Sequence, residues 1–434
     1  MFAWYTTLGI AFGLLVIMTF SGMPLFAGFL LLNIVGVVLF FGTSAFGMFT
    51  NSMFDTLTNE ALVAVPLFLL MGEVLSKSNA IEELYSALDA IIGRIKIKLY
   101  ASCIALATVL GTMSGSAMAD AAILSRTLYP GMLARGYDRK ISAGLIMSGA
   151  TMAPIIPPSI LCVVLATLAS ESVGALLVAG ILPGILLASL LLIYVWLRVV
   201  FDPSKAPATD DGISYTLAQR MGAVLRLLPF CGVIFMVVGL IILGVASPTE
   251  AAATGVFAAL LVSIYLRTFS LGLVWNCLFL AARTSTTIFV ILMSANLFGQ
   301  LLSYTGAPEG MLQLVEHLDL TPSMVFWVLI FISFISCMFL GQTEYMLISV
   351  PIFLPIVKAA GFDPIWFWMI YLVTITIGGM TPPFGMTMFV FKASTDMSMT
   401  EVYNATWPFV AMLMLGVSIM FLFPPIVTFL PSLM

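Results

Sequence analysis

The chain has 434 residues, 62% of them hydrophobic and 8% charged, with a formal net charge of −4. A mean hydropathy of +1.16 and apolar runs of about 20 residues recurring from end to end describe an all-α polytopic membrane protein without a soluble domain. With a single histidine, His317, neither a His-based metal site nor a Ser-His-Asp triad is expected, and no enzyme activity is expected.

Spans are read from apolar runs and their punctuation. Thr6 to Phe20 is expected to be a retained first span and not a signal peptide, since no basic segment precedes it. Pro24 to Phe41 follows, then a span centred on Leu62 to Leu75. After the basic residues Arg94, Lys96 and Lys98 comes a small, polar break, Gly111-Thr112-Met113-Ser114-Gly115-Ser116-Ala117-Met118-Ala119-Asp120. Its two apolar arms, at about 1.5 Å rise per residue, fall short of the roughly 30 Å hydrocarbon core. Short arms around a polar turn predict a re-entrant helical hairpin over about 100–130. Basic flanks on both sides, with Arg135, Arg139 and Lys140 after it, place both of its ends in the cytoplasm. The run 141–168 is broken by Pro154-Ile155-Ile156-Pro157-Pro158-Ser159, since proline removes a donor and clashes with the preceding turn. Val173 to Val200 returns to a linker, 201–226, that carries Asp202, Lys205, Asp210, Asp211, Arg220 and Arg226.

The second half repeats the pattern. Leu228 to Gly244 and Ala251 to Leu266 are spans, whereas Leu271 to Ile288 suits either an interfacial arm or the start of a span. A second polar break, Gly341-Gln342-Thr343-Glu344-Tyr345, tips a hairpin over about 322–358, entering from the outside. A second proline knot, Thr381-Pro382-Pro383-Phe384-Gly385, breaks the run 366–391. From break to double proline is 46 residues in the first copy (111 to 157) and 41 in the second (341 to 382). Trp407 to Phe429 is the last span. Residues 1–200 and 227–434 are thus expected to form an inverted repeat of five spans plus one hairpin each, with both termini outside. Paired, interrupted hydrophobic segments mark a transporter's binding site, although Gly and Ser also serve close helix packing.

The stretches GTMSGSAMADAA, PGMLARGYDRK, PIIPPSI, AGILPGILL, GVASPTEAAATG and IGGMTPPFGMTMFV, in this order across both halves, resemble the large membrane subunit of tripartite ATP-independent periplasmic (TRAP) transporters. The resemblance implies an ion-transporter superfamily fold with elevator-type scaffold and transport domains in a bacterial inner membrane. It implies a separate small four-helix membrane subunit and a soluble periplasmic substrate-binding protein as partners. It also implies sodium-coupled uptake of an organic acid such as sialic acid or a C4-dicarboxylate, with no cofactor beyond Na+ as coupling ion. The alternative is a stand-alone sodium- or proton-coupled carboxylate carrier of the same fold. Glu344 departs from the aspartate expected in many members.

Sodium requires oxygen ligands, which unwound backbone and hydroxyls supply. With the family's architecture carried onto matching positions, the first sodium site is expected at Ser114, Ser116, Gly149, Thr151 and Pro154, and the second at Gly341, Thr343, Gly378 and Thr381. Ser116, Ser159 and Thr381 are expected to contact the substrate. Asp120 is read either as functional, as an intramembrane carboxylate generally is, or as the cap of the second hairpin arm; Glu250 is read as a helix-start carboxylate. For Glu344, helix-start stabilisation, proton coupling and a sodium-site role stay open. The five cysteines are taken as apolar packing residues and His317 as a loop residue.

Overall fold

The computed structural model describes residues 21–42, 46–92, 97–207 and 216–434, together with residues 5–6, 9–10, 13–14 and 17–18. Most of the run Thr6 to Phe20, along with Arg94, Lys96, Asp210 and Asp211, lies outside the described residues.

Among the described residues every regular element is helical. In the first half α1 (Leu25–Phe41) is followed by α2 (Gly47–Leu57) and α3 (Ala64–Lys77), which are bent by 57° at a break where Asn59 Oδ1 accepts from the Ala61 amide. Then come α4 (Ala80–Ile92), α5 (Lys98–Ser114), α6 (Ala117–Thr127) and α7 (Tyr129–Ala134). The run predicted to be broken forms α8 (Arg139–Ala150) and α9 (Ile160–Ala169), and α10 (Val173–Phe201) closes the half. In the second half α11 (Leu217–Ile242), α12 (Pro248–Tyr265), α13 (Leu271–Tyr304) and α14 (Ala307–His317) precede the two arms α15 (Pro322–Cys337) and α16 (Gln342–Ala359). The second broken run forms α17 (Pro364–Gly378) and α18 (Met386–Ala393), and α19 (Met399–Leu422) follows. Among the described residues five single helices, α10 to α13 and α19, are long and apolar enough to cross a membrane; the arms and half-spans are shorter.

Three expectations change. The ambiguous stretch from Leu271 is one uninterrupted helix of 34 residues, because nothing between Ser270, its N-cap, and Tyr304 breaks it. The linker is shorter than 201–226: Thr216 and Gln219 form a capping box, so Arg220 and Arg226 already lie on α11. His317 ends α14 and is exposed, not in a loop.

The helices fall into two packed sets. In one, α12 lies along α3, and α13 lies along α1, α2 and α3. Asn33 Nδ2 donates to Ser294 O (2.7 Å), Asn296 Nδ2 to Thr56 Oγ1 (2.9 Å), and Arg226 pairs with Glu83 at 3.5 Å. In the other, both hairpins and both broken runs pack with α10 and α19 around fully buried Trp368, Tyr371, Phe367 and Phe409. Trp366 Nε1 donates to Met420 O (3.0 Å), and Arg139 meets Asp396 at 3.0 Å. These links stay within one set or the other, while Lys98–Asp89 (3.3 Å) joins the two.

The base of the first hairpin is clasped to the start of the first broken run. Tyr100 OH donates to Lys205 O (2.8 Å) and accepts from the Asp138 amide (3.1 Å). Asp138 caps α8 and takes an ion pair from Lys205 at 2.8 Å. Partial burial raises the Asp138 pKa, but Lys205 and the two amides of the cap outweigh it and hold the carboxyl below its ordinary 3.8. Since the folded value is depressed, the charge contributes stability above the ordinary value and loses it as pH falls through the folded one. Asp138→Asn keeps the cap and removes the charge. Its melting temperature, measured on purified protein, should lie below wild type at pH 7, and the gap should close below about pH 4.

Glycine sets the approach of hairpin to broken run. A Cβ at Gly111 would lie 2.8 Å from the Ala153 Cα, whereas one at Gly131 meets nothing within 4 Å. Gly111→Ala should therefore cost about 1–3 kcal/mol, seen as a lowered melting temperature, and Gly131→Ala should not.

Candidate functional site

The first tip is made by Gly115, whose left-handed φ of +59° ends α5, with its amide donating to Gly111 O at 3.1 Å. Ser116 then caps α6, its Oγ accepting from the Ala119 amide (3.4 Å). Asp120 is therefore not the cap. It sits in the first turn of α6, fully buried, and its Oδ1 accepts from Ser114 Oγ at 2.5 Å. That bond turns the Ser114 proton inward and leaves its lone pairs for the Ser116 amide, 3.2 Å away, and for the space beyond.

The second tip is built differently. α15 ends at Cys337, Leu340 N donates to Ser336 O (2.9 Å), and Gly341 begins α16 without a side-chain cap. Glu344 stands in the first turn of α16.

Each broken run unwinds over a few residues around a cis prolyl bond, Pro157–Pro158 and Pro382–Pro383. In the first, Ser159 caps α9, accepting from the Cys162 amide at 3.2 Å and donating to Pro154 O. In the second, Thr381 Oγ1 donates to Ile377 O (2.7 Å), and Tyr403 OH reaches across from α19 to Pro383 O (2.7 Å).

Both tips and both breaks meet at one cavity of about 280 Å³. Ser114, Ser116, Pro154, Gly341 and Thr343, five of the nine expected sodium positions, line it. Gly149, Thr151, Gly378 and Thr381 do not. Thr151 and Thr381 are buried with their hydroxyls on Ser148 O and Ile377 O. A Cβ at Gly149 would meet Ala107 Cβ at 2.8 Å and one at Gly378 would meet Cys337 Cβ at 2.6 Å. Both glycines thus let a broken run approach the first arm of its hairpin. Of the three expected substrate contacts, Ser116 lines the cavity, while Ser159 and Thr381 lie fully buried outside its lining.

The cavity also takes Gln342, Thr387, Gly379 and Thr284, with an apolar wall from Leu69, Ile160 and Met386. Gln342 was legible as part of the second polar break. Thr387 could have been found by following the knot to its next helix start, since Gly385 caps α18 two residues earlier. Glu250 closes a capping box with Ser247, the helix-start role read for it.

A family model described as "Tripartite ATP-independent periplasmic transporter, DctM component" matches residues 12–426. The ectoine TRAP transporter large permease protein TeaC of Halomonas elongata is 29% identical, covering 95% of this chain and 96% of its own. The C4-dicarboxylate TRAP transporter large permease protein DctM of Pseudomonas aeruginosa is also 29% identical, covering 91% and 92%. The crystal structure of the YdaH transporter of Alcanivorax borkumensis shares the fold, with a TM-score of 0.63 at 14% identity over 87% of this chain and 86% of that one. The chain is a multi-pass membrane protein and belongs to the tripartite ATP-independent periplasmic transporter family, as its DctM component, the large permease subunit.

Proposed function

We propose that this subunit carries out sodium-coupled uptake of a small organic acid across a bacterial inner membrane, working with a small membrane subunit and a periplasmic substrate-binding protein. One observation carries the reading: two helical tips and two unwound runs, far apart in sequence, meet at a single cavity. Unwound backbone and helix starts are what a membrane protein uses to hold a cation and a carboxylate together. In the first sodium site Ser114, Ser116 and the Pro154 carbonyl would supply oxygens, and in the second Gly341 and Thr343 would. The names of the ectoine and C4-dicarboxylate relatives support a carboxylate-bearing solute.

The driving force is sufficient. Each inward sodium contributes about 2.3 kcal/mol per 100 mV, and a tenfold gradient adds about 1.4 kcal/mol.

The two halves form an inverted repeat, on this reading. α12 packs on α3 of the first half, and α1 packs on α13 of the second, as halves related by a two-fold axis would. The set holding the hairpins moves as the transport body and the other set is its scaffold. Support comes from the polar links, which tie each set internally across distant residues such as Arg139–Asp396 and Asn33–Ser294. Both chain ends would then face the periplasm.

Reconstituted with its two partners, the subunit should accumulate solute only with an inward sodium gradient. Replacing sodium by choline should abolish accumulation, and equal uptake in choline would reject the coupling. Uptake that persists without the binding protein would favour a stand-alone carrier. Ser114→Ala should raise the sodium concentration for half-maximal uptake about tenfold, about 1.4 kcal/mol; an unchanged sodium curve would remove Ser114 from the site. A disulfide between cysteines placed at Met118 on α6 and Ile288 on α13, which line the same cavity, should stop uptake reversibly with reductant. Uptake unaffected by that tether would count against a moving transport body.

A further inference from the structure

The cavity wall holds one ionisable side chain, Glu344, and no lysine, arginine or histidine. Arg283 neighbours the lining residue Thr284 in sequence but is itself exposed and outside the wall. Behind Ser114 lies Asp120, fully buried, with Oδ1 on Ser114 and Oδ2 without a hydrogen-bond partner among the described residues. The ionisable side chain that lines this cavity is therefore acidic.

Glu344 closes no capping box, although its carboxylate folds back beside Gly341 at the start of α16, in the space a Gly341 side chain would take. Glu250 and Glu401 stand at the same third position of their helices, and each closes a capping box with a serine, Ser247 and Ser398. The residue three before Glu344 is Gly341, which has no hydroxyl to offer. Among the described residues the Glu344 carboxylate has no hydrogen bond or ion pair, although it lines the cavity. Glu344 is half-buried, and a carboxylate within a membrane protein that lacks a partner of its own marks a functional site by default.

The start of α6 lines the same cavity. Ser116, Ala117 and Met118 stand there, where amides and the helix dipole favour a negative group. The cavity thus offers helix-start amides to a carboxylate and one side-chain carboxylate to a cation. A dianion would set its second carboxylate against Glu344 with no basic side chain on the wall to offset it.

We propose that the transported solute is a small zwitterion, its carboxylate at the start of α6 and its cationic centre at Glu344; this rests on the cavity being the transport site. Glu344 is then a specificity-determining residue and not a sodium ligand.

The test uses the purified membrane complex of this chain with its small subunit, followed by melting temperature. Sodium alone is titrated first. Ectoine and glycine betaine as zwitterions, and succinate and N-acetylneuraminate as anions, are then added at millimolar concentration in sodium. The zwitterions should stabilise wild type. Glu344→Gln should raise the half-saturating concentration of the zwitterion at least tenfold, with the sodium titration moving less than twofold. Glu344→Asp, which keeps the charge, should recover most of the response and guards against simple misfolding. Stabilisation by an anion and by neither zwitterion overturns the proposal, as does no response to either zwitterion. So does a Glu344→Gln variant whose sodium titration shifts while its solute response stays, which makes Glu344 a sodium ligand. Sodium-dependent uptake that survives these outcomes leaves the transport reading standing, whereas loss of sodium dependence in wild type removes both.

Discussion

Glycine and proline interrupt four apolar helices, and every amide and carbonyl they free needs a partner where there is no water to supply one. The structure answers this locally wherever it can. Gly115 N returns to Gly111 O at 3.1 Å, Gly385 N to Thr381 O at 3.1 Å, and Thr381 N to Gly378 O at 2.9 Å. Side chains take the remainder: Ser159 reaches Pro154 O, and Tyr403 reaches Pro383 O at 2.7 Å. Because each turn is closed this way, the breaks hold a defined shape, and residues of both tips and both breaks line one cavity.

The same constraint divides the molecule. A broken helix is stable only when tertiary neighbours over-determine it, so both broken runs lie deep in one set, where Trp368, Phe367 and Tyr371 are fully buried. Buried hydroxyl pairs such as Ser349 with Tyr371 (2.5 Å) stiffen that set. The other set has its own polar clamps, Asn33 on Ser294 and Asn296 on Thr56. Each set is thus cross-linked internally, and the Lys98–Asp89 pair joins the two.

Much of this was legible in the sequence because the departures from apolar monotony were so sharp. The hairpin tips at Gly115 and Gly341 and the double prolines stand where the breaks were read. What escaped was side-chain direction. At Gly149 and Gly378 the missing side chain lets Ala107 and Cys337 approach, a second use of glycine beside the carbonyl expected there. Serine at a helix start reports a cap as readily as a ligand, and at Ser159 the cap is what the structure shows. Asp120 was half misread because the hydroxyl four residues before it had already taken the capping position. Gln342 lies within the second polar break but Thr387 does not, and only the assembled tips show that both line the same space.

The two tips solve one backbone problem with different chemistry, and that difference bears on function. At the first, serine caps the helix and its neighbour Ser114 shields the carboxylate behind it, so the wall presents hydroxyls and amides. At the second, glycine starts the helix with no side chain of its own, and the carboxylate of the first turn folds back over it while lining the cavity. Two tips that break their helices alike therefore line one cavity with different side chains, and that difference is what allows an enclosed space to tell one end of a solute from the other.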